Sequence, residues 1–453
     1  MVQMTDYVNH FKNKKITLMG LGLLGRGVGD AKFLAECGAD LLVTDLKTEE
    51  KLKFSLEQLK KFPNIKYVLG EHRLEDFLGR DLVIKSAGIP LDSPYIKEAE
   101  KNNIPVKMST ALFVTLSNTK IIGVTGTKGK STTTHLIESI LIESGQKFFL
   151  GGNVRGLATL PLLNEVGEGD IVLMELDSWQ LQGFGYDEIS PNISVFTNLM
   201  NDHMNYYKGN MDQYFNDKAN IFRYQKEGDV LITSSLVKKN IDEKFNKEIK
   251  SKIITTSTLD VPENWKPIIL GEHNKESIAF AIKVSEVLGI DREIIKRGVE
   301  TFKGVPGRLE LIREVKGFKY YNDTTATTTD AAIAALQSLL PRPDFGKKSP
   351  NIVLLAGGSD KNLVFERFVN EMKGRVKKLI LFKGNATDKI LKLLEPNQFD
   401  FVVIDSMDKA FEEAQKVAEE GDIVLLSPGA TSFGIFKNEF DRGDQFVELV
   451  NKL

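Results

Sequence analysis

Short, uninterrupted apolar runs recur along this chain, and they restrict its fold more than any other feature. They lie at Ile16–Met19, Leu41–Val43, Leu82–Ile84, Ile121–Val124, Ile171–Met174, Ile193–Phe196, Ile352–Leu355, Leu379–Phe382, Phe401–Ile404 and Ile423–Leu426. Each is too short for a core helix and lacks the apolar–polar alternation of a half-exposed strand, so each reads as a strand buried on both faces. Helical stretches such as Lys130–Glu143 stand between many of them, which predicts an α/β protein built on parallel sheets. Sheets of that kind place ligands beyond the carboxyl ends of their strands. This chain puts its glycines, carboxylates and hydroxyls there: GLGLLG, TGTKGKST, ELDS, TNLMNDH, NDTTAT, AGGSDK and SPGATS.

At 453 residues the chain has room for two or three domains that each bury a core. A polar stretch, KNNIPVKMST, precedes the strand that enters the second glycine loop, and Gly304, Pro306 and Gly307 interrupt the pattern further on. Three α/β domains are expected, at 1–108, 109–304 and 305–453. Acidic and basic residues nearly cancel, 62 against 60, so no global field favours nucleic acid or an anionic membrane. The single cysteine, Cys37, allows no disulfide framework and no cysteine-based zinc site. With no apolar leader at the N-terminus and no apolar stretch of membrane-spanning length, a cytoplasmic protein is expected.

The sharpest local signal is Gly123-Val-Thr-Gly126-Thr127-Lys128-Gly129-Lys130-Ser131-Thr132, between a strand and a helix. Glycines let backbone N–H groups curl around phosphates, Lys130 supplies mobile charge, and the Ser131 or Thr132 hydroxyl suits magnesium. Position 124 is valine, so this is a shorter variant of the usual nucleotide-binding pattern. Glu175 ends the next buried run, where a strand would deliver a hard oxygen ligand to the same loop. Asp202 and His203 follow the run after that. Alone, either is more simply a solvated loop residue; beside a phosphate loop each becomes a candidate ligand. Near the start, Gly20-Leu-Gly22-Leu23-Leu-Gly25 follows a strand, and Asp45 ends the next one. That arrangement suits a nucleotide diphosphate, and read alone it suggests a nicotinamide dinucleotide. His10, His72, His135 and His273 show no metal spacing, and Trp179 reads as a core residue.

Taken together, GTKGKST, ELDSWQL, TNLMNDHM, GEHN, VPGRLE, NDTTAT, GGSDK and SPGATSFGIFKNEFDRG resemble the Mur ligases across essentially the whole chain. The likeness is strongest to the D-glutamate-adding branch. It implies a Rossmann-like N-terminal domain for a UDP-linked substrate, a central ATPase-type domain, and a Rossmann-like C-terminal domain for the incoming amino acid. It implies ATP and Mg²⁺, with UDP-N-acetylmuramoyl-L-alanine and D-glutamate as substrates, and a monomer in the cytoplasm. By motif, the resemblance assigns ATP to Gly126, Thr127, Lys128, Gly129, Lys130, Ser131, Thr132, Asn274, Arg308 and Asp323. Metal falls to Ser131, Glu175, His203 and Lys218, the last matching a carbamylated lysine of the family. Gly22, Leu23, Asp45, Gly88 and Asn153 fall where the UDP-sugar binds. Thr327, Lys361, Ser432 and Phe440 fall where the amino acid binds. The chain departs from the family pattern at Leu24, Ala87, Asp177, Ser277 and Thr325, and FKNEF puts its aromatic at Phe440.

A carboxylate and an amine do not condense in water without activation, so the resemblance implies an acyl phosphate stabilised largely by electrostatics. Domain closure around the ligands is expected, because water would hydrolyse that intermediate. Rival readings explain less. A nicotinamide-dependent oxidoreductase leaves the second glycine loop and Glu175 without a role. A non-catalytic nucleotide-binding module leaves the C-terminal loops without one, and a folylpolyglutamate-synthetase-like ligase does not need the nucleotide-type segment before residue 108.

Overall fold

The computed structural model describes residues 5–23, 25–154, 156–203, 206–269, 272–339, 351–360, 363–396, 399–432 and 434–453. These residues form three sheets, and every apolar run named above is a strand or part of one. The first sheet holds β1 (Lys15–Met19), β2 (Asp40–Asp45), β3 (Lys66–Leu69), β4 (Leu82–Lys85) and β5 (Val106–Lys107), in the order β3-β2-β1-β4-β5. The second holds β6 (Lys120–Thr125), β7 (Phe148–Gly152), β8 (Ile171–Glu175), β9 (Ile193–Phe196), β10 (Val230–Ser234) and β11 (Lys252–Thr256), ordered β11-β10-β9-β6-β8-β7. Both are parallel throughout.

The third sheet holds β12 (Glu310–Val315), β13 (Phe318–Asn322), β14 (Ile352–Gly357), β15 (Val376–Phe382), β16 (Phe401–Ile404) and β17 (Ile423–Leu426). Its order is β12-β13-β17-β14-β15-β16. It is mixed, because β12 runs antiparallel to β13 through the turn at Lys316-Gly317. This departs from the purely parallel expectation: a two-residue turn can join only antiparallel neighbours, whereas a parallel pair needs a long crossover.

Most of the apolar runs are continuous because both faces of the strand are covered; Phe401–Ile404 departs from that expectation, since β16 lies at a sheet edge and leaves Phe401 and Val403 exposed. In β14, Ile352, Leu354 and Ala356 pack into one core, while Val353 and Leu355 pack into another. The first two sheets belong to one compact unit, Met1–Trp265 with His273–Val299; the third belongs to a second unit, Lys266–Glu272 with Glu300–Leu453. Within the first unit one hydrophobic core runs from Tyr7 to Phe245. Helix Ser109–Leu116, just past the boundary expected near 108, buries Ala111, Leu112 and Phe113 in that shared core. Among the described residues no helix is long and apolar enough to cross a membrane.

Each sheet repeats one geometric device. A strand flanked on both sides ends in a loop, and the loops of its neighbours end beside it. In the first sheet β1 lies between β2 and β4, in the second β6 lies between β8 and β9, and in the third β17 lies between β13 and β14.

Candidate functional site

In the second sheet, β6 delivers the loop Gly126–Gly129 to the N-terminus of helix Lys130–Ser144. Gly126 has φ 143° and Gly129 φ 81°, conformations that suit glycine. A Cβ on Gly126 would stand 1.9 Å from Thr197 Oγ1. The loop is stapled to the end of β9: Thr127 N–H donates to Asn198 O at 2.9 Å, Lys128 N–H to Asn198 Oδ1 at 2.8 Å, and Thr197 Oγ1 to Lys128 O at 2.7 Å. Thr127 Oγ1 also accepts from Met200 N–H at 2.9 Å. Thr197 and Asn198 carried no individual signal, since a staple between strands distant in sequence has no local pattern. Ser277, where the family pattern has asparagine, places its Oγ 3.4 Å from where a Gly129 Cβ would lie. It sits on helix Glu272–Val287, whose first turn also carries Asn274.

Two lysines converge on this loop. Lys130 Nζ donates to Gly126 O and Thr127 O, each at 3.0 Å, so its charge lies folded over the cradle. Lys218 is 1% exposed and donates to Gly126 O at 2.8 Å and Thr125 Oγ1 at 3.3 Å, with its ammonium 4.9 Å from the Tyr214 ring centroid. Burial, followed by the charge of Lys130, holds the Lys218 pKa well below the ordinary lysine value, against the acids Asp177, Asp202 and Glu175. Glu175 is 6% exposed at the end of β8, adjacent to β6. Asn153, after β7, donates its backbone N–H to Glu175 O at 2.6 Å.

His203 adopts φ 55°, and its ring lies 4.8 Å from that of Trp179, which also meets Tyr206 at 5.5 Å. Trp179 is half-buried beside His203, against the expectation of a core residue. An isolated tryptophan after ELDS gave no means of telling the two placements apart. Asp202 Oδ2 lies 3.6 Å from Lys128 Nζ. Ser131 and Thr132 are half-buried in the first turn after the loop. Among the described residues no three or more His, Cys, Asp or Glu side chains are grouped to hold a metal by themselves.

In the first sheet the loop after β1 is shaped by the expected acid. Asp45 accepts from Gly22 N–H at 2.9 Å through Oδ2 and from Lys47 N–H at 2.8 Å through Oδ1. Its carboxylate therefore builds the loop as well as facing it. Ser86 Oγ donates to Gly20 O at 2.6 Å, tying this loop to the one after β4, where Gly88 is exposed. Leu23 is exposed at the loop's tip, and Leu24 lies outside the described residues.

The third sheet brings its own loops together. Asp323 N–H donates to Leu426 O at 2.7 Å, Ser427 Oγ to Asp323 Oδ2 at 2.7 Å, and Gly429 N–H to Ala326 O at 2.9 Å. Ser359 and Thr431 exchange backbone bonds at 2.9 and 3.0 Å. Burial pushes the Asp323 carboxyl up to about 7, against the Ser427 hydroxyl, the Leu309 amide and the charges of Arg308 and Arg442. Ser432 Oγ is buried without a hydrogen-bond partner among the described residues. Thr327 closes a tight turn onto Thr325 O at 2.8 Å, and Phe440 is half-buried at the start of helix Glu439–Asn451. Lys361 lies outside the described residues.

A glycine cradle with convergent lysines, at the carboxyl end of a parallel sheet, defines a phosphate-binding α/β protein. Its relatives make the class narrower. Residues 14–108 match the model of the Mur ligase MurD-like N-terminal domain, 124–293 the Mur ligase middle domain, and 307–429 the Mur ligase glutamate ligase domain. The UDP-N-acetylmuramoylalanine–D-glutamate ligase of Borreliella afzelii is 36% identical, over 98% of this chain and 99% of that one. The protein of the same name from a Roseiflexus species is also 36% identical, over 96% and 98%. The crystal structure of the UDP-N-acetylmuramate–alanine ligase of Thermotoga maritima shares the fold, with a TM-score of 0.58 at 19% identity over 97% of this chain and 100% of that one. The chain belongs to the Mur ligase family.

Proposed function

We propose that this protein is an ATP-dependent, ADP-forming ligase that joins D-glutamate to UDP-N-acetylmuramoyl-L-alanine, a step of peptidoglycan precursor synthesis in the cytoplasm. The observation that carries the reading is the phosphate cradle Gly126–Gly129 with Lys130 folded over it and Glu175 at the adjacent strand end. Its specificity follows the curated relatives, whose printed name is that of the D-glutamate ligase and which match nearly end to end. The work is divided as 1–108 for the nucleotide-linked substrate, 109–304 for ATP and 305–453 for the amino acid.

In this reading the amides of Gly126, Thr127, Lys128 and Gly129, with Lys130, Ser131 and Thr132, hold the triphosphate; Asn274, Arg308 and Asp323 hold the rest of ATP. ATP phosphorylates the substrate's terminal carboxylate. The deprotonated amine of D-glutamate then attacks the acyl carbon, and phosphate leaves as the C–N bond is completed. Lys130 would neutralise charge as it develops on the transferred group. Magnesium, when bound, supplies further positive charge against the triphosphate. A buried carboxylate and a hydroxyl suit a magnesium ion that shares its shell with phosphate and water, so Ser131 and Glu175 are the proposed protein ligands of a first magnesium and His203 of a second. Lys218 joins them only as a carbamate, since an ammonium cannot ligate a cation. Its suppressed pKa favours the neutral amine that carbamylation requires. Gly22, Leu23, Asp45, Gly88 and Asn153 would take the UDP-sugar, and Thr327, Lys361, Ser432 and Phe440 the amino acid.

The test is phosphate release from Mg-ATP with UDP-N-acetylmuramoyl-L-alanine, offering D-glutamate, L-glutamate, L-lysine or nothing in parallel, with product masses measured. Release that depends on D-glutamate and yields the condensed mass is expected. Release with none of them would sink the assignment of substrate.

A further inference from the structure

Lys85 is a buried cation with no part in the function proposed above. It ends β4, where it lies opposite Met19, the last residue of β1, and it is 2% exposed. The winding of the first sheet reverses between these two strands: β2 and β3 extend to one side of β1, β4 and β5 to the other. Open parallel sheets bind ligands in the crevice at that point.

The loop after β4 is stitched to the loop after β1. Ser86 N–H donates to Met19 O at 2.9 Å, and Ser86 Oγ donates to Gly20 O at 2.6 Å. A Cβ on Gly20 would lie 2.6 Å from that hydroxyl and 3.2 Å from Ile89 Cδ1, so the two loops are in close contact. Ile89 N–H closes a turn onto Ser86 O at 3.1 Å. Lys85 Nζ spans the same turn, donating to Ile89 O at 2.9 Å and Ser86 O at 3.4 Å. The turn shows Gly88 to solvent and keeps the ammonium on its buried side.

Two carbonyls occupy two of the three donors of the ammonium without neutralising it. Among the described residues Lys85 forms no ion pair. Lysine is almost never fully buried unless it is paired, because a desolvated charge without a counter-charge is costly. Burial lowers the Lys85 pKa to about 8, against the charges of Asp177 and Asp217, so the ammonium is retained at neutral pH. Lys47, a second cation at the same strand ends, is instead turned toward Asp45, its Nζ 3.8 Å from Oδ1. An anion seated on the turn 86–89 would give Lys85 the counter-charge that the protein withholds.

We infer that Lys85 is a positioning residue for the diphosphate of the nucleotide-linked substrate, fixing the turn 86–89 against Gly20 and supplying the crevice between β1 and β4 with positive charge. The inference rests on the function proposed above, which brings a UDP-linked substrate to this crevice.

The experiment measures binding of UDP and of uridine to the full chain by calorimetry, with saturating Mg-ADP present to occupy the cradle after β6. Wild type is compared with Lys85→Met, Lys85→Gln and Lys85→Arg. Met removes both the charge and the bond to Ile89 O, Gln removes the charge but keeps a donor, and Arg keeps the charge. Wild type should bind UDP more tightly than uridine. Both neutral variants should lose about tenfold in affinity for UDP, an ordinary loss for a charge-assisted contact, and less than about twofold for the uncharged uridine. Lys85→Arg should recover part of the loss. Neutral variants that keep the wild-type preference for UDP, or that lose both ligands equally, would overturn the inference, as would loss of the fold in both. A wild type that binds neither ligand removes the nucleotide from the first sheet and overturns the proposed function together with the inference. A wild type that binds UDP no better than uridine overturns the inference alone.

Discussion

Burial of a carboxylate disfavours its charged form, and Asp30 shows how far that goes. It is buried on helix Arg26–Glu36 and its carboxyl is pushed from 3.8 up to about 7 by desolvation, which the Ser109 hydroxyl, the Arg26 charge and the Leu160 amide only partly oppose. The sign of its pH effect follows. The folded state holds the proton more tightly than the unfolded state, so the stability that protonated Asp30 contributes is fully present below 3.8 and is lost as pH rises through about 7. Asp30→Asn keeps the shape without the ionisation. Thermal melts of the two proteins across that range should show wild type losing ground to the variant as pH rises; parallel curves would contradict the assignment. Lys218 shows the limit of reading residues one at a time. Its motif match carried its role, but nothing around it in sequence says that the side chain is sealed under the phosphate loop. Lys130 was legible because its function depends on neighbours within its own loop.

Elements were legible where local composition matched their burial. Runs covered on both faces are continuous in apolar residues, so β1, β6, β8 and β14 stood out. The edge strands β3, β5, β7, β11 and β12 did not, since each has a neighbour on one side only and carries partly exposed residues; the edge strand β16 stood out because its exposed positions, Phe401 and Val403, are themselves apolar. Interior β10 was obscured for a different reason: its buried Thr233 is polar but satisfied by donating to Phe196 O at 2.8 Å. In the proposed function the glycine loop after β6 holds the phosphates, and Gly126 tests it. A side chain there meets both a φ of 143° and Thr197 Oγ1 at 1.9 Å. Gly126→Ala should cost about 1–3 kcal/mol of stability from overpacking and strain. It should also remove the rise in melting temperature that Mg-ATP gives wild type. A variant that melts like wild type and still responds to Mg-ATP would show that the loop relaxes around the methyl.

At the scale of the whole molecule, the chain divides into two compact units, with Lys130, Glu175 and Lys218 in one and Arg308, Asp323 and Ser432 in the other. Ligands that touch both units favour whichever arrangement lets them do so. Small-angle scattering should therefore show a smaller radius of gyration with a non-hydrolysable ATP analogue and UDP-N-acetylmuramoyl-L-alanine together than without them; an unchanged radius would count against closure. The sequence alone determined the α/β class, the phosphate loop and the family, because these depend on residues close together in the chain, where periodicity and spacing are visible. Tertiary structure decided what pairs with what across distance. The staple of Thr127 and Lys128 to Asn198, the contact of Trp179 with His203 and the burial of Lys218 beneath Gly126 each join segments that only the packed sheets bring together. Packing also decides which charges lose their water, and a charge's surroundings, more than its identity, set how it behaves.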